Sequence, residues 1–259
     1  AVQVEHLDPG DGGRLREGRE GANRHGRAYA VMYDLSGLGP NRIREVMDDW
    51  RTLRAEMRVT EDPAYLRHRG KPLVAVWGIG FNDGRAYTLA ECRGLVEFLK
   101  TDGCTVMLGV PTGWRALDRD SIEDPALHDV LKLVDVISPW TVGRYRNPAE
   151  AARHAETILK PDLAWCARER LDYLPVVFPG FSWSNLKGGP LDEIPRLKGG
   201  FLWSQITAAK AAGATMLYTA MFDEVDEATA IFKCTNEAPQ AGASPFLTYE
   251  GLSSDFYLK

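Results

Sequence analysis

Short apolar runs rich in β-branched residues alternate with longer amphipathic stretches along the whole of this 259-residue chain. The runs are nearly continuous in apolar residues, which is typical of strands in a parallel sheet that is covered on both faces. Strands that alternate with helices predict an α/β fold with the helices outside the sheet. Seven strands are predicted, over residues 2–7, 28–34, 72–78, 104–110, 134–139, 174–178 and 214–222.

Helical periodicity fills the segments between these strands. The clearest case is 41–57, where Ile43, Val46, Trp50 and Leu53 share one side. Thr88 is a suitable N-cap for a helix over 89–100, and Gly213 is a suitable C-cap for a helix over 201–212. Further helices are predicted over 15–25, 121–133 and 148–170.

The length and this rhythm favour a (β/α)8 barrel, or TIM barrel, as a single domain over residues 1–259. An irregular tail, rich in Pro, Gly and Ser, is expected from about residue 236 to residue 259. A doubly wound nucleotide-binding fold is disfavoured, because neither GxGxxG nor GxxxxGK[ST] occurs. Since seven strands are counted and the first begins at residue 2, we expect the first barrel strand and its helix to be absent from this chain. A complete barrel with one unrecognised strand and an open sheet are the alternatives.

Composition excludes several classes of partner. The net charge of −5 argues against nucleic acid or an anionic membrane surface as the main partner. No apolar run approaches the roughly 20 residues that span a bilayer. The chain starts at Ala1 rather than Met, so a removed leader is expected, with a secreted or periplasmic location and the cytoplasm as the alternative.

Metal, cofactor and nucleophile motifs are missing from the sequence. The four cysteines are widely spaced without a CxxC pair, and buried free thiols are favoured over one disulfide. No HxH or HExxH spacing occurs, which disfavours a zinc hydrolase, and neither Ser182 nor Ser184 lies in GxSxG. We therefore expect no cofactor and no metal.

The last predicted strand ends in four carboxylates within five residues: Asp223, Glu224, Asp226 and Glu227. A packed core does not hold several unpaired charges, so such a cluster favours a concave site over an interior position. Paired carboxylates are the usual acid and base of enzymes that cleave glycosidic bonds. The alternative is a solvated loop or a helix N-terminus, where acids interact favourably with the helix dipole.

Other residues at the ends of the predicted strands suit a carbohydrate site. A TIM barrel builds its site at the carboxyl ends of its strands. Indole rings stack on the apolar faces of sugars, while charged and polar groups bind the hydroxyls. The alternative for the aromatic residues is that they cap the barrel interior. The candidates are Trp77, Trp114, Trp140 and Trp183, together with His6, Tyr33, Asp34, Arg144 and Asn185.

Several segments resemble glycoside hydrolase family 99, the endo-α-mannosidases. Phe222-Asp-Glu-Val-Asp-Glu-Ala-Thr resembles the Phe-Asn-Glu-Trp-His-Glu-Gly-Thr motif that ends the last strand in that family. Val176-Val-Phe-Pro-Gly-Phe is similar to the family's Pro-Gly loop one strand earlier, and Tyr33-Asp34 falls where the family has a strand-end carboxylate. Nearly all of residues 1–250 is also similar to bacterial family 71/99-like proteins, described as xylosidase/arabinosidase proteins.

The resemblance implies a retaining reaction through a 1,2-anhydro sugar. Carried over to this chain, it makes Glu224 the base for the sugar 2-hydroxyl and Glu227 the acid for the leaving oxygen, with Asp34 assisting. Repulsion between the two glutamates is expected to raise the pKa of one of them. Asp223 and Val225-Asp226 depart from the motif and add negative charge, which places Asp226 among the candidate substrate contacts. A carboxylate nucleophile, or inversion with a water between the acids, stays open.

The leading interpretation is a glycoside hydrolase that cleaves a bond in an α-linked glycan or oligosaccharide. Its partner would be the carbohydrate substrate. One alternative is a barrel that binds carbohydrate without cleaving it. The other is an enzyme that depends on a divalent metal held by the oxygens of the acidic cluster.

Overall fold

A computed structural model describes residues 2–5, 12–238 and 244–259, with side chains from Leu15 onward. The chain forms two compact units. The first extends to Pro139 and also includes Arg168–Asp172. The second consists of Trp140–Ala167 and Tyr173–Lys259. Each unit is described by itself.

The first unit contains a sheet of parallel strands that lie side by side in chain order. A two-residue strand, β3, pairs antiparallel with β4, and β7 continues the sheet beyond β6. The strands are β1 (Val2–Glu5), β2 (Tyr29–Asp34), β3 (Arg67–His68), β4 (Lys71–Trp77), β5 (Thr105–Val110), β6 (Val136–Pro139) and β7 (Asp172–Tyr173).

Strands β2 and β5 are buried on both faces of the sheet. Every residue from Tyr29 to Tyr33 is buried, and all six residues of β5 are buried. In a strand, neighbouring side chains point to opposite faces, so continuous burial requires cover on each side. The α/β character predicted from the sequence is therefore present in the structure.

Four helices of the first unit follow their sequence signals. They are α1 (Gly12–His25), α2 (Ile43–Ala55), α3 (Leu89–Thr101) and α4 (Ala126–Leu131). Helix α2 buries the predicted apolar stripe. Thr88 caps α3 by accepting from the Glu91 N–H at 3.2 Å, while Glu91 accepts from the Thr88 N–H at 2.8 Å. Helix α4 is shorter than the predicted 121–133.

The regular secondary structure of the second unit is mainly helical. The predicted helix over 148–170 is α5 (Pro148–His154), a π-helical turn (Ala155–Leu159) and α6 (Lys160–Glu169). Next come β8 (Val176–Val177), α7 (Ser184–Lys187), a 3-10 turn (Leu197–Gly199), α8 (Gly200–Ala211), β9 (Tyr218–Thr219) and a 3-10 turn (Phe256–Leu258). Gly213 follows α8 with φ of +101°, a conformation that suits glycine, so the predicted C-cap is confirmed.

The last two strands are much shorter than predicted. Strands β8 and β9 pair in parallel over two residues each, where 174–178 and 214–222 were expected. The Phe178 N–H donates to the Gln205 side chain at 3.0 Å, and the Phe178 carbonyl accepts from it at 2.7 Å. The ladder therefore ends after Val177, whose carbonyl accepts from the Ala220 N–H at 2.9 Å.

The C-terminal segment has no helix or strand beyond the 3-10 turn, among its described residues. It nevertheless contributes to the interior of the second unit, because Tyr249 is 1% exposed. The Cys234 N–H bonds to the Ser254 carbonyl at 3.2 Å, and the Asn236 side chain bonds to Leu252 at 2.8 Å. All four cysteines are free thiols, as predicted. Three are buried, and Cys234 is half-buried.

Candidate functional site

The four clustered carboxylates lie on a loop that leaves the last strand, and we call residues 222–232 the acidic loop. Backbone hydrogen bonds close it. The Phe222 carbonyl accepts from the N–H groups of Ile231 and Phe232 at 3.0 and 2.9 Å. Inside that pair, the Glu224 carbonyl accepts from Thr229 and Ala230 at 3.1 and 3.0 Å. The loop is thus a fixed turn that positions its side chains.

The acids of the loop separate into two pairs by exposure. Asp223 and Asp226 are exposed, while Glu224 and Glu227 are half-buried. The Thr229 hydroxyl donates to Glu224 Oε2 at 3.2 Å. This hydrogen bond attaches the Glu224 side chain to its own loop.

The other glutamate has a raised pKa. Burial raises the pKa of Glu227 to about 7, and the negative charge of Asp226 adds to the effect. The backbone carbonyl of Glu227 accepts from the Ser182 N–H at 2.9 Å, which attaches the loop to the segment that follows β8. One glutamate with a raised pKa was expected from the sequence. The cause differs, since burial and Asp226 act here rather than Glu224.

Two of the predicted aromatic residues lie in the same unit as the acidic loop. Trp140 and Trp183 are half-buried and pack on one apolar cluster that also contains Phe181 and Ala220. The rings of Phe181 and Trp183 meet edge to face at 4.5 Å, and Lys187 Nζ lies 4.3 Å from the Trp183 ring centroid. The segments that follow β6, β8 and β9 therefore pack on the same apolar cluster.

The polar candidates of this unit have different surroundings. Arg144 is exposed on the loop after β6. The Asn185 amide donates to the carbonyls of Asp226 and Pro245 at 2.9 and 3.0 Å. Asn185 thus holds the acidic loop in place. These bonds use its N–H groups, so a direct contact with a sugar would fall to its oxygen.

Tyr33 and Asp34 belong to the first unit and have opposite surroundings. Tyr33 is 2% exposed, and its hydroxyl donates to Asp49 of α2 at 2.8 Å. Asp34 is half-buried, and its side chain accepts from the Ser36 N–H at 2.7 Å. Adjacent residues of a strand point to opposite faces, so Tyr33 turns toward a helix and is not available to a ligand at the strand end.

The two tryptophans of the first unit also differ. Trp114 is fully buried, which leaves no ring face for a sugar. Trp77 is half-buried over Gly109 of the neighbouring strand, where an added Cβ would lie 2.3 Å from Trp77 Cδ1. The Arg85 guanidinium lies 5.3 Å from the Trp77 ring centroid. His6, the remaining candidate, lies outside the described residues.

Three residues that support the acidic loop were given no role from the sequence. Thr229 holds Glu224 and was visible as the end of the quoted motif. Arg196, which is 4% exposed, and Tyr249 bind carbonyls of the loop from distant positions in the chain. No sequence pattern marks those two contacts, because they depend on tertiary packing.

Across 2–5, 12–238 and 244–259, no three His, Cys, Asp or Glu side chains are grouped so that they could hold a metal ion. In the same part of the chain, no helix has the length and apolar character needed to cross a bilayer.

Comparisons with known proteins show which solved structures have a similar fold. No protein-family model and no curated protein matches the sequence. Among solved structures, the GH99 endo-alpha-mannosidase from Bacteroides thetaiotaomicron in complex with BIS-TRIS propane has a TM-score of 0.72 at 18% identity, covering 99% of this chain and 75% of that one. A second structure of the endo-alpha-mannosidase from that organism has a TM-score of 0.70 at 20% identity, covering 99% and 71%.

A third structure, titled a glycoside hydrolase-like protein, has a TM-score of 0.57 at 13% identity, covering 88% of this chain and 73% of that one. At these identities the similarity establishes the fold alone. The GH99 structures are (β/α)8 barrels, and this chain shares their fold. The predicted fold class and its GH99-like character are therefore confirmed.

Proposed function

We propose that the protein is a glycoside hydrolase that acts on α-linked glycans, with Glu227 as the general acid and Glu224 as the second carboxylate. The observation that carries the proposal is the raised pKa of Glu227, about 7, on a loop that also holds Glu224 by a hydroxyl hydrogen bond. Cleavage of a glycosidic bond requires a carboxyl group that is protonated near neutral pH and a second carboxylate. The GH99 fold supports this chemistry.

Protonated Glu227 would donate its proton to the glycosidic oxygen as the bond to the leaving sugar breaks. Ionised Glu224 would then act on the other side of the sugar. In the route implied by the family resemblance, it removes the proton of the 2-hydroxyl so that this oxygen displaces the leaving group. In the two alternatives it attacks the anomeric carbon itself or activates a water.

Side chains near the loop would form the sugar subsites. Trp140 and Trp183 offer half-buried aromatic surface, and Arg144 offers an exposed cation on the loop after β6. Asp226 lies next to the acid and is exposed. Asp34 and Trp77 belong to the first unit and stay candidates from the sequence, Asp34 as an assisting carboxylate and Trp77 as a sugar-stacking ring. Trp114 and Tyr33 are left out because both are buried.

The proposal is tested with Glu224→Gln and Glu227→Gln in the full chain, assayed on a panel of α-linked oligosaccharides that includes α-mannosides. Each substitution should lower kcat by at least about 10³-fold, since it removes an acid–base group or a nucleophile. Unchanged circular dichroism would show that the fold is kept. NMR of the first-formed anomer separates the retaining routes from inversion.

Asp223→Asn is the matched control, because Asp223 is an exposed carboxylate on the same loop. It should keep turnover close to that of the unmodified protein. Turnover at the unmodified rate in both glutamine variants would overturn the proposal. Binding of glycans without any cleavage by the unmodified chain would instead favour a carbohydrate-binding barrel.

A further inference from the structure

Arg196 is a buried cation whose partners are backbone carbonyls and aromatic rings. Its side chain is 4% exposed. Nη2 donates to the carbonyl of Ala228 at 2.8 Å and to that of Ala230 at 2.6 Å. Both carbonyls belong to the acidic loop, just after Glu227. Hydrogen bonds from a charged donor are about twice as strong as neutral ones, so this side chain contributes strongly to the shape of the loop.

The Ala230 carbonyl links Arg196 to the first glutamate. The Ala230 N–H donates to the Glu224 carbonyl at 3.0 Å, beside the Thr229 N–H at 3.1 Å. The Arg196 side chain and the Glu224 backbone are thus separated by one residue, Ala230. On the other glutamate, Ala228 follows Glu227 directly in the chain. A displacement of the two bound carbonyls would therefore move both carboxyl groups.

The guanidinium itself is held in place on several sides. Its carbon lies 4.9 Å from the ring centroids of both Tyr249 and Tyr257, within the range of cation–π contacts. The Tyr249 hydroxyl donates to the Ala230 carbonyl at 3.1 Å, so that oxygen is shared with Arg196. Gly180 packs closely against the aliphatic part of the Arg196 side chain, since a Cβ added at Gly180 would lie only 2.7 Å from Arg196 Cγ.

We propose that Arg196 is a positioning residue that fixes Glu224 and Glu227 in their reactive arrangement, with Tyr249 and Tyr257 holding its guanidinium. The inference rests on the proposed function of the two glutamates. Misplacing a reactive group by about 1 Å costs roughly 100-fold in rate. The pKa of Glu227 is governed by burial and by Asp226, so loss of Arg196 should change kcat and leave the pH dependence in place.

The test is Arg196→Ala in the full chain, with and without added guanidinium chloride at a concentration that leaves the fold intact. We expect kcat to fall by about 10- to 100-fold with little change in KM, and added guanidinium to restore part of it. Hydrogen exchange of the Thr229 and Ala230 amides should rise in the variant and fall again with guanidinium. This second readout does not depend on any substrate.

Arg153→Ala is the matched control, because Arg153 is an exposed arginine of α5 in the same unit. It should change neither kcat nor the exchange of the two amides. Arg196→Lys keeps the charge, and Tyr249→Phe removes the shared hydroxyl. If Arg196→Ala does not fold, these two variants should show the same changes to a smaller extent.

The outcomes separate the two proposals. Unchanged exchange of the Thr229 and Ala230 amides in folded Arg196 variants would overturn the positioning role, whatever the activity. Faster exchange of these amides with a kcat equal to that of the unmodified protein would also overturn the positioning role. The unmodified chain could cleave no glycan while the exchange of its two amides still responds to Arg196→Ala and to guanidinium. That result would refute the proposed hydrolase and would show that Arg196 holds the acidic loop.

Discussion

At the scale of single residues, two chemically identical acids of the acidic loop have different local environments. Glu227 is half-buried beside a charged aspartate, while Glu224 is bound by a hydroxyl. The sequence identifies both as candidates because four carboxylates end an apolar strand. It does not reveal which of them is buried, since burial depends on the segment after β8 that packs against the loop.

Asp226 provides a test of the charge on the acid. Because its negative charge raises the pKa of Glu227, Asp226→Asn should lower that pKa. In the proposed function Glu227 must be protonated to act as the acid, so kcat/KM of the unmodified protein should fall as pH rises through about 7. In Asp226→Asn this fall should begin at lower pH. Part of the upward shift should remain because burial is unchanged.

The measurement is a pH profile of kcat/KM, supported by NMR titration of the Glu227 carboxyl carbon. Asp223→Asn serves as the control, since Asp223 is exposed and is not among the causes of the Glu227 shift. A profile that stays in place in Asp226→Asn would show that the aspartate does not act on Glu227.

At the scale of secondary structure, the central strands of the first unit and helices α2 and α3 lie within a few residues of their predictions. Helices α2 and α3 carry their own signals, in an apolar stripe and a capping box. The last two strands depend on a partner, and their ladder is only two residues long because the Phe178 N–H bonds to the Gln205 side chain. A strand's apolar run therefore predicts its position better than its paired length.

The contact between β4 and β5 shows how one glycine fits two strands together. An added Cβ at Gly109 would lie 2.3 Å from Trp77 Cδ1 and 3.0 Å from the Trp77 Cα, so backbone as well as side chain would have to move. Gly109→Ala should destabilise the protein by about 1–3 kcal/mol, the usual cost of overpacking a core.

Gly94→Ala is the comparison, because Gly94 lies within α3 and nothing lies within 4 Å of an added Cβ there. It should be neutral or stabilise by about 0.5–1 kcal/mol, since alanine favours helix more than glycine does. Urea unfolding followed by circular dichroism measures both. Equal stability of the two variants would contradict the close packing of Trp77 on Gly109.

At the scale of the whole molecule, the fold is shared with GH99 structures although only 18–20% of residues are identical. The alternation of strands and helices was enough to predict that fold class. The candidate site was harder, because Tyr33, Trp114 and Asn185 have the right residue types at strand ends. Their side chains are nevertheless taken up by burial or by hydrogen bonds within the protein.

The role of the C-terminal segment in the interior was also not predictable from the sequence, because this segment is irregular and polar. Tyr249 is 1% exposed, lies 4.9 Å from the Arg196 guanidinium and bonds to a carbonyl of the acidic loop. Tyr249→Ala should lower the free energy of unfolding by about 3–5 kcal/mol, as for other large aromatic residues removed from a core. Leu258→Ala, at a side chain that is 48% exposed, should cost no more than about 0.5 kcal/mol. Urea unfolding gives both values, and similar small losses would mean that the segment is not part of the core.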